Sequence, residues 1–534
     1  MSDSIRELAG GDTADSAGAP SGAPPRTGVT VGGLRAPRRR TGKHSDDGHD
    51  LSVIGGLSAL SLDALSSVAY GPEAMVLVLV TAGAGALRYT LPLTLVIAGM
   101  LAILVLSYSQ VIAAHPDGGG AYAVAKRNLG RMPALLAAAS LVVDYVLTVA
   151  VSLAAGAASL ASVFPGLSGD LLPICLMALA LLTVVNMFGI SESAKVLALP
   201  FTVFIVSVFA TLIVGPFHPH PVAQIGTPLP LHATEAVGIV LILKAFAAGC
   251  SAVTGVEAIA NGVPAFEQPR VRTAQRTEFA LGALLAVMLI GIATLIRVHD
   301  VAPRGGVTML AQLTAGAFGT GWPFYVSNLA VTAVLGLAAN TSFGGLPVLM
   351  SILARDHRLP HAFYLRAERP VYRIGIIVLA VAAALLLVAV DANTNRLIPL
   401  YAIGVFIGFT ISQIGLVRHW RKERPAKWRA RVALNGFGAT LTAICVVVFL
   451  ATKFLEGAWV VVIAIPLMMW LFSHTETYYA KVASELKLGK TPGIPRARER
   501  SGRAHVDRQP THQAGPRRGA VDRRHGGRGG GGGQ

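Results

Sequence analysis

LSLDALSSVAYGPE, residues 60–73, sets an ionisable side chain, Asp63, in the middle of an otherwise apolar segment. An Asp near the centre of a membrane helix costs roughly 2.5–3.5 kcal/mol on insertion scales, so such residues face a cavity or pathway inside a bundle. Around it stand Ser61, Ser66, Ser67 and Tyr70, followed by Gly71 and Pro72. These residues loosen a helix and present oxygen in place of hydrocarbon. The stretch therefore predicts an oxygen-lined break in a spanning helix; the plainer alternative is a helix end at the membrane surface.

The remaining chain supports a membrane setting. Of its 534 residues, 53% are hydrophobic and only 14% charged, and the charges gather in the tails and in short segments between long apolar runs. Runs of roughly 20 apolar residues recur about twelve times, far too often for helices of a soluble core. No ten-residue alternation suggests a porin-like barrel. The expectation is an all-α integral membrane protein of about 12 transmembrane helices over residues 51–473. Its flanks are predicted to be a disordered basic arm at 1–50 and a low-complexity basic tail at 474–534, ending RRHGGRGGGGGQ.

The net charge of +17 would point to nucleic acid in a soluble protein. Here it belongs to tails and loops of one side, so the lipid bilayer is the expected partner, with RNA or anionic lipid as possible readings of the tail and a solvated tail as the default. Cys175, Cys250 and Cys445 all lie in apolar runs, which indicates neither a disulfide framework nor a clustered metal site, and no cofactor is expected. The first fifty residues are polar and no cleavable apolar segment precedes the first span. With the amino terminus inside, Lys126, Arg127, Arg131, Arg270, Arg272, Arg276, Arg355, Arg358 and the Arg418–Arg431 cluster fall in cytoplasmic loops. That asymmetry places both termini in the cytoplasm of a multi-pass protein of the cytoplasmic membrane. His218, His220 and His232 lie in a proline-rich loop, read as polar and external, with a metal site as the alternative.

The sixth span, SAVTGVEAIANGVPAFE at 251–267, repeats the peculiarity of the first: Glu257 lies beside Thr254 and Gly255, and Gly262 and Pro264 follow. Interrupted segments at matched positions of two halves are the sequence pointer to a transporter of inverted repeats, with its site where the broken helices meet. In the third span, ASLVVDYVLTVAVSLAAG at 139–156, Tyr145, Thr148 and Ser152 share one helical face and Asp144 sits next door. Such hydroxyls can also simply bond back to the preceding turn. In the tenth span, Tyr401 of RLIPLYAIGVF is a further polar tip; taken alone it reads as an interfacial or packing tyrosine.

Together, DALSSVAYGPE, HPDGGGAYAVAKRNLG, DYVLTVAVS, TGVEAIANGVPAF and LIPLYAIGVF resemble the KUP and KimA group of potassium transporters in the amino acid-polyamine-organocation superfamily, from about residue 51 to about residue 473. DALSSVAY with DYVLTVAVS carries the KimA-like likeness; the glycine-rich motif and GVEAIANGVPAF are superfamily-wide. The resemblance implies a LeuT-like 5+5 inverted repeat with broken helices 1 and 6, plus two further spans, taking up potassium with protons. Matched by motif, the potassium site would consist of Asp63, Tyr70, Tyr145, Thr148, Ser152, Thr254 and Tyr401. Asp63, Asp144 and Glu257 would be the candidates for proton coupling. Relatives of this kind share a folded cytosolic domain that supports dimerisation, whereas a low-complexity tail follows here, which weakens the case for a homodimer.

A cation substrate suits the residues themselves. Amino acid carriers of this fold use a Gly-rich break whose bare N–H groups cradle a carboxylate. Here the break carries Asp63 and hydroxyls, which replace the water around a monovalent metal ion, and tyrosine offers oxygen or a ring face. An amino acid or polyamine permease is the competing reading, and the polyamine, being cationic, would also tolerate Asp63. An enzyme is not expected, since HExxH and GxSxG motifs are both missing.

Overall fold

The computed structural model describes residues 51–118, 120–189, 194–218, 225–228, 233, 235–365 and 372–486. The predicted amino-terminal arm, most of the predicted tail, and His220 and His232 lie outside the described residues. The chain divides into two units, residues 1–477 and 478–534. In the second, the described residues are helical to Glu485. Among the described residues the first unit is mainly helical, and its one strand ladder pairs Thr227 and Pro228 antiparallel with Gly305 and Arg304.

The first span is broken as its sequence requires. Helix α1 (Val53–Leu60) is capped by Ser52, whose hydroxyl accepts from the Gly55 N–H. At Ser61 the backbone leaves helical geometry, with φ −99° and ψ 1°. A short α2 (Leu62–Ser66) tightens into a 3₁₀ turn, Ser67–Ala69, before α3 (Gly71–Leu79) begins. Pro72 sits in the first turn of α3, where a missing N–H is harmless. Beyond it run α4 (Thr90–Ala114), the amphipathic α5 (Gly120–Asn128) and the 33-residue α6 (Arg131–Val163). Next come α7 (Leu171–Met187) and α8 (Ala194–Val214).

The sixth span breaks more sharply. Helix α9 (Ile239–Gly249) narrows to a 3₁₀ turn at Cys250–Val253, Thr254 is extended, and Gly255 takes φ +84° before α10 (Glu257–Asn261). Glu257 thus opens a half-helix, instead of lying mid-helix. The chain continues through α11 (Arg270–Val298), α12 (Met309–Phe318), α13 (Trp322–Arg355), α14 (Arg373–Val390), α15 (Thr394–Glu423), α16 (Trp428–Lys453) and α17 (Trp459–Glu485). Among the described residues, 11 segments are long and apolar enough to cross a bilayer. Against the expected twelve, α7 is a shorter apolar helix of 17 residues. Large apolar side chains such as Leu95, Val96, Leu181, Ile213, Val287 and Leu385 stand exposed on outer helix faces. In water such a surface would drive association; against hydrocarbon it costs nothing.

The two breaks cross each other. A Cβ at Gly71 would strike Ala252, and a Cβ at Gly255 would lie 2.6 Å from the Ala64 nitrogen and 2.9 Å from an Asp63 carboxylate oxygen. Ser67 ties the pair, donating to the Ala252 carbonyl at 2.8 Å. Small residues at both crossings let backbone meet backbone, which is how membrane helices pack where burial from water supplies no drive. The same logic joins α6 to α13, where the Tyr145 ring lies on Gly345.

At the end of the bundle where α5 lies, charged groups tie elements together. Tyr122 donates to Asp356 at 2.5 Å, and Lys126 donates to both Asp356 oxygens at 2.7 and 2.6 Å. Arg358 donates to the Tyr122 hydroxyl at 3.0 Å, and Arg131 to Glu476 at 3.0 Å and Ser473 at 2.9 Å. Burial alone would push the Asp356 carboxyl up, but the hydrogen bonds from Lys126 and Tyr122 and the charges of Lys126 and Arg358 outweigh it and hold the pKa below 3.8.

Two outcomes follow for the detergent-solubilised full chain. Gly255→Ala adds a side chain at positive φ against backbone and is expected to cost about 2–5 kcal/mol, seen as a lowered melting temperature. Gly85→Ala, with nothing within 4 Å of the added carbon, should leave it unchanged. Asp356→Asn should cost about 1–2 kcal/mol, because a hydrogen-bonded carboxylate is lost from a partly exposed site. A lowered carboxyl pKa stabilises above the unfolded value and loses that effect as pH falls through the folded one. The melting difference between wild type and Asp356→Asn should therefore be constant at neutral pH and shrink only below about pH 4.

Candidate functional site

The crossing of the two breaks brings α6 and α15 against it and creates a buried polar centre. Asp63, on α2, points at the break of the other span, its carboxylate beside Gly255. From α15 the Tyr401 hydroxyl reaches an Asp63 oxygen at 3.5 Å, the long limit of a hydrogen bond. The fully buried Tyr401 lies within electrostatic reach of Tyr70 and Asp144, and its hydroxyl is beside that of Thr148. The Tyr70 hydroxyl in turn neighbours Asp63, Thr254 and Tyr401 without meeting strict hydrogen-bond geometry with any of them. Thr254 spends its own proton on the Ser251 carbonyl at 2.9 Å, which leaves oxygen lone pairs to offer.

Asp63, Tyr70, Thr148, Thr254 and Tyr401 are thus brought together. Ser152 lies one turn from Thr148 on α6, buried, with its hydroxyl unpartnered. Tyr145 differs: its ring and hydroxyl lie against Gly345 of α13, so it shares the electrostatic environment of Asp63, Asp144 and Glu257 from the flank. Of the break serines, Ser66 and Ser67 donate back to the Asp63 and Ala64 carbonyls, whereas Ser61 is buried with an unpartnered hydroxyl.

The three expected coupling acids also converge. Asp144 is buried with one oxygen unpartnered, and it lies within electrostatic reach of Glu257 and Asp63. Glu257 is 9% exposed, with its Oε2 unpartnered and its carboxyl beside the backbone N–H groups at the start of α10. Among the described residues no Lys, Arg or His makes an ion pair with any of the three. A carboxylate without a cation in low dielectric is expensive, and three sharing one region are more so. Added positive charge, a proton or a cation, lowers that cost. The oxygen donors of the centre suit a hard, weakly held cation, while no group of three or more metal-ligating side chains occurs among the described residues. His218 meets the Val214 carbonyl at 3.3 Å.

Two features escaped sequence reasoning. A cavity of about 340 Å³ leads to Tyr70 and is lined also by Glu73, Ser159, Thr308, Asn393 and Asn395. Glu73 there accepts from the Met309 N–H at 3.0 Å, and the Thr308 N–H donates to Ser162 at 2.9 Å, which ties the start of α12 to α3 and α6. Glu73 stands in the quoted first stretch, one turn beyond Tyr70, and that spacing was the available signal. The second feature is a fully buried Glu278 on α11, in a segment with no Gly-Pro interruption.

The amino acid permease family profile matches residues 56–472. The chain is also similar to the potassium transporter KimA of Bacillus subtilis (strain 168), 40% identical over 446 residues, covering 82% of this chain and 72% of that protein.

Proposed function

The chain belongs to the amino acid permease family, and from that premise we propose that it is a secondary active transporter taking up potassium with protons across the cytoplasmic membrane. Membership makes it a multi-pass transporter and not an enzyme. In this reading the helices form a LeuT-like 5+5 inverted repeat plus two spans, twelve in all with α7 as the fourth. Both termini lie in the cytoplasm, on the side of Lys126, Arg131 and Arg358.

The observation that carries the cation is Asp63 in the break, with oxygens of Tyr401, Tyr70, Thr148 and Thr254 around it and no basic partner. K⁺ gives up hydration water only where oxygen replaces it, and a buried carboxylate supplies both oxygen and the opposite charge. Ser152 extends the same face of α6, and Tyr145, also on α6, flanks it with its ring against Gly345 of α13. Uptake begins with K⁺ meeting ionised Asp63 from the cavity beside Tyr70. Asp144 and Glu257 cannot both stay ionised beside Asp63 without added positive charge, so one of them carries a proton as the cation moves. Rocking of the broken half-helices then opens the other side.

The relative named as a potassium transporter supports this substrate. An amino acid or polyamine permease is the competing reading. A zwitterion would bring its carboxylate against Asp63, while a polyamine would not, so the two cations are separated by growth of a potassium-uptake-deficient host on low potassium. Rubidium uptake into vesicles, with and without an inward pH gradient, tests the coupling.

Asp63→Asn is expected to raise the rubidium concentration for half-maximal uptake about ten- to hundredfold, since a hydrogen bond or contact to a charged group is worth roughly 1.5–3 kcal/mol. Tyr401→Phe, which removes one neutral oxygen, should raise it only about two- to tenfold. Wild-type uptake by Asp63→Asn would remove that residue from the mechanism.

A further inference from the structure

Glu278 is 0% exposed, and neither of its carboxyl oxygens has a hydrogen-bond partner. Its place is tightly set. Three residues before it, Gln275 donates to the Ser109 carbonyl of α4 at 2.8 Å. One turn after it, Gly282 packs on Val105 of α4. Glu278 is thereby held against the stretch of α4 that carries Tyr108, itself fully buried and edge-on to Phe409 of α15. Ser412 of α15, beside Tyr108, has an unpartnered buried hydroxyl as well.

The acid that bears on Glu278 is Glu257, whose own Oε2 is unpartnered. Other titratable groups on elements packed against α11 are Tyr108 on α4, Asp63 on α2, Glu73 on α3 and Arg88 and Tyr89 in the 3₁₀ turn before α4. Helices α1 and α12 bring none, and the Lys195 side chain of α8 lies outside the described residues. No ion pair to Glu278 occurs among the described residues.

A packing role does not account for this. A carboxyl with both oxygens unpaired forfeits hydrogen bonding to water that a Leu or Met of similar size would never have had. Fully ionised and unpaired it would be costlier still. Membrane acids of this kind mark proton paths. Position gives the direction: Glu278 lies eight residues from the start of α11, about 12 Å along it, on the side of Arg270, Arg272 and Arg276, whereas Glu257 opens α10 at the cation centre.

We propose that Glu278 is the proton acceptor on the cytoplasmic side of Glu257, completing a carboxyl relay from the cation centre toward the arginine-bearing end of α11. This rests on the proton-coupled reading above. In the transfer, the O–H bond of the protonated Glu257 breaks and its electron pair stays on Glu257. A new O–H bond forms on ionised Glu278, which later passes the proton to cytoplasmic water and is ionised again.

The test uses the full chain in lipid vesicles, measuring rubidium entry and internal pH together. Glu278→Gln should retain rubidium–rubidium exchange, while uphill accumulation driven by a pH gradient falls by about tenfold or more, within the usual range of coupling between two ligands. Glu278→Asp should keep coupling with a shifted pH profile. A packing role gives the reverse order, because Gln preserves shape and the shorter Asp leaves a gap. Coupled accumulation at the wild-type proton-to-rubidium ratio in Glu278→Gln overturns the proposal. If that variant does not reach the membrane, an unchanged pH profile in Glu278→Asp overturns it alone. Failure of the underlying reading looks different: the wild type itself would move rubidium without protons.

Discussion

The close crossing of two interrupted helices is the constraint on which the structure depends. Gly71 lies on Ala252 and Gly255 on Ala64, so the backbones of two spans meet without side chains between them. That contact makes the breaks useful. An unwound helix inside a bilayer exposes N–H and C=O groups that need partners, and here part of the debt is met across the crossing, as Ser67 donates both to Ala64 and to Ala252 carbonyls. The rest is left facing a centre where Asp63, Thr254 and Tyr401 converge. Interrupting either span alone would expose backbone without forming a site.

Around the crossing, long unbroken helices act as the frame. The 33-residue α6 and the 34-residue α13 pack along each other, and α6 presents Asp144, Thr148 and Ser152 inward. Charged side chains are arranged in the opposite way at the end near α5. There Asp356 is paired with Lys126 and Tyr122, and Glu476 with Arg131. Paired charges rim the bundle and unpaired acids occupy its middle. The rim can be satisfied because partners and water are near, whereas the middle can be satisfied only by what passes through it.

How far the sequence was readable follows from which residues announce themselves. Asp63, Gly71 and Pro72 violate the pattern of a spanning helix together, and Thr254, Gly255 and Glu257 do so again, so both breaks and their convergence were visible. The span pattern was visible through hydropathy, with α7 as the ambiguous member because only 17 of its residues are helical. Details of orientation were not. Ser66 and Ser67 looked like free oxygens yet bond back to carbonyls, a local choice that spacing cannot foresee. Tyr145 shares a helical face with Thr148 and Ser152, but its ring extends to the small Gly345 on a helix some two hundred residues away in sequence. Glu278 was passed over because α11 reads as an ordinary span with a charged first turn, and one Glu eight residues in looks like part of that charge.

What separates Glu278 from such a surface acid is its company, and that company extends to the whole centre. Ser61 and Tyr70 in the broken first span, Asp144 and Ser152 on α6, Glu257 on α10, Glu278 on α11 and Ser412 on α15 each have at least one buried polar atom without a partner. Unsatisfied buried groups are rare in folded proteins and each costs stability. Scattered at random they would be defects that selection removes one by one. Here they include Asp144 and Glu278, each within electrostatic reach of Glu257, and hydroxyls of the first span, α6 and α15. At the crossing the unpartnered atoms are oxygens with no ion pair to a basic side chain among the described residues, and on the transport reading proposed above a passing cation is what would satisfy them.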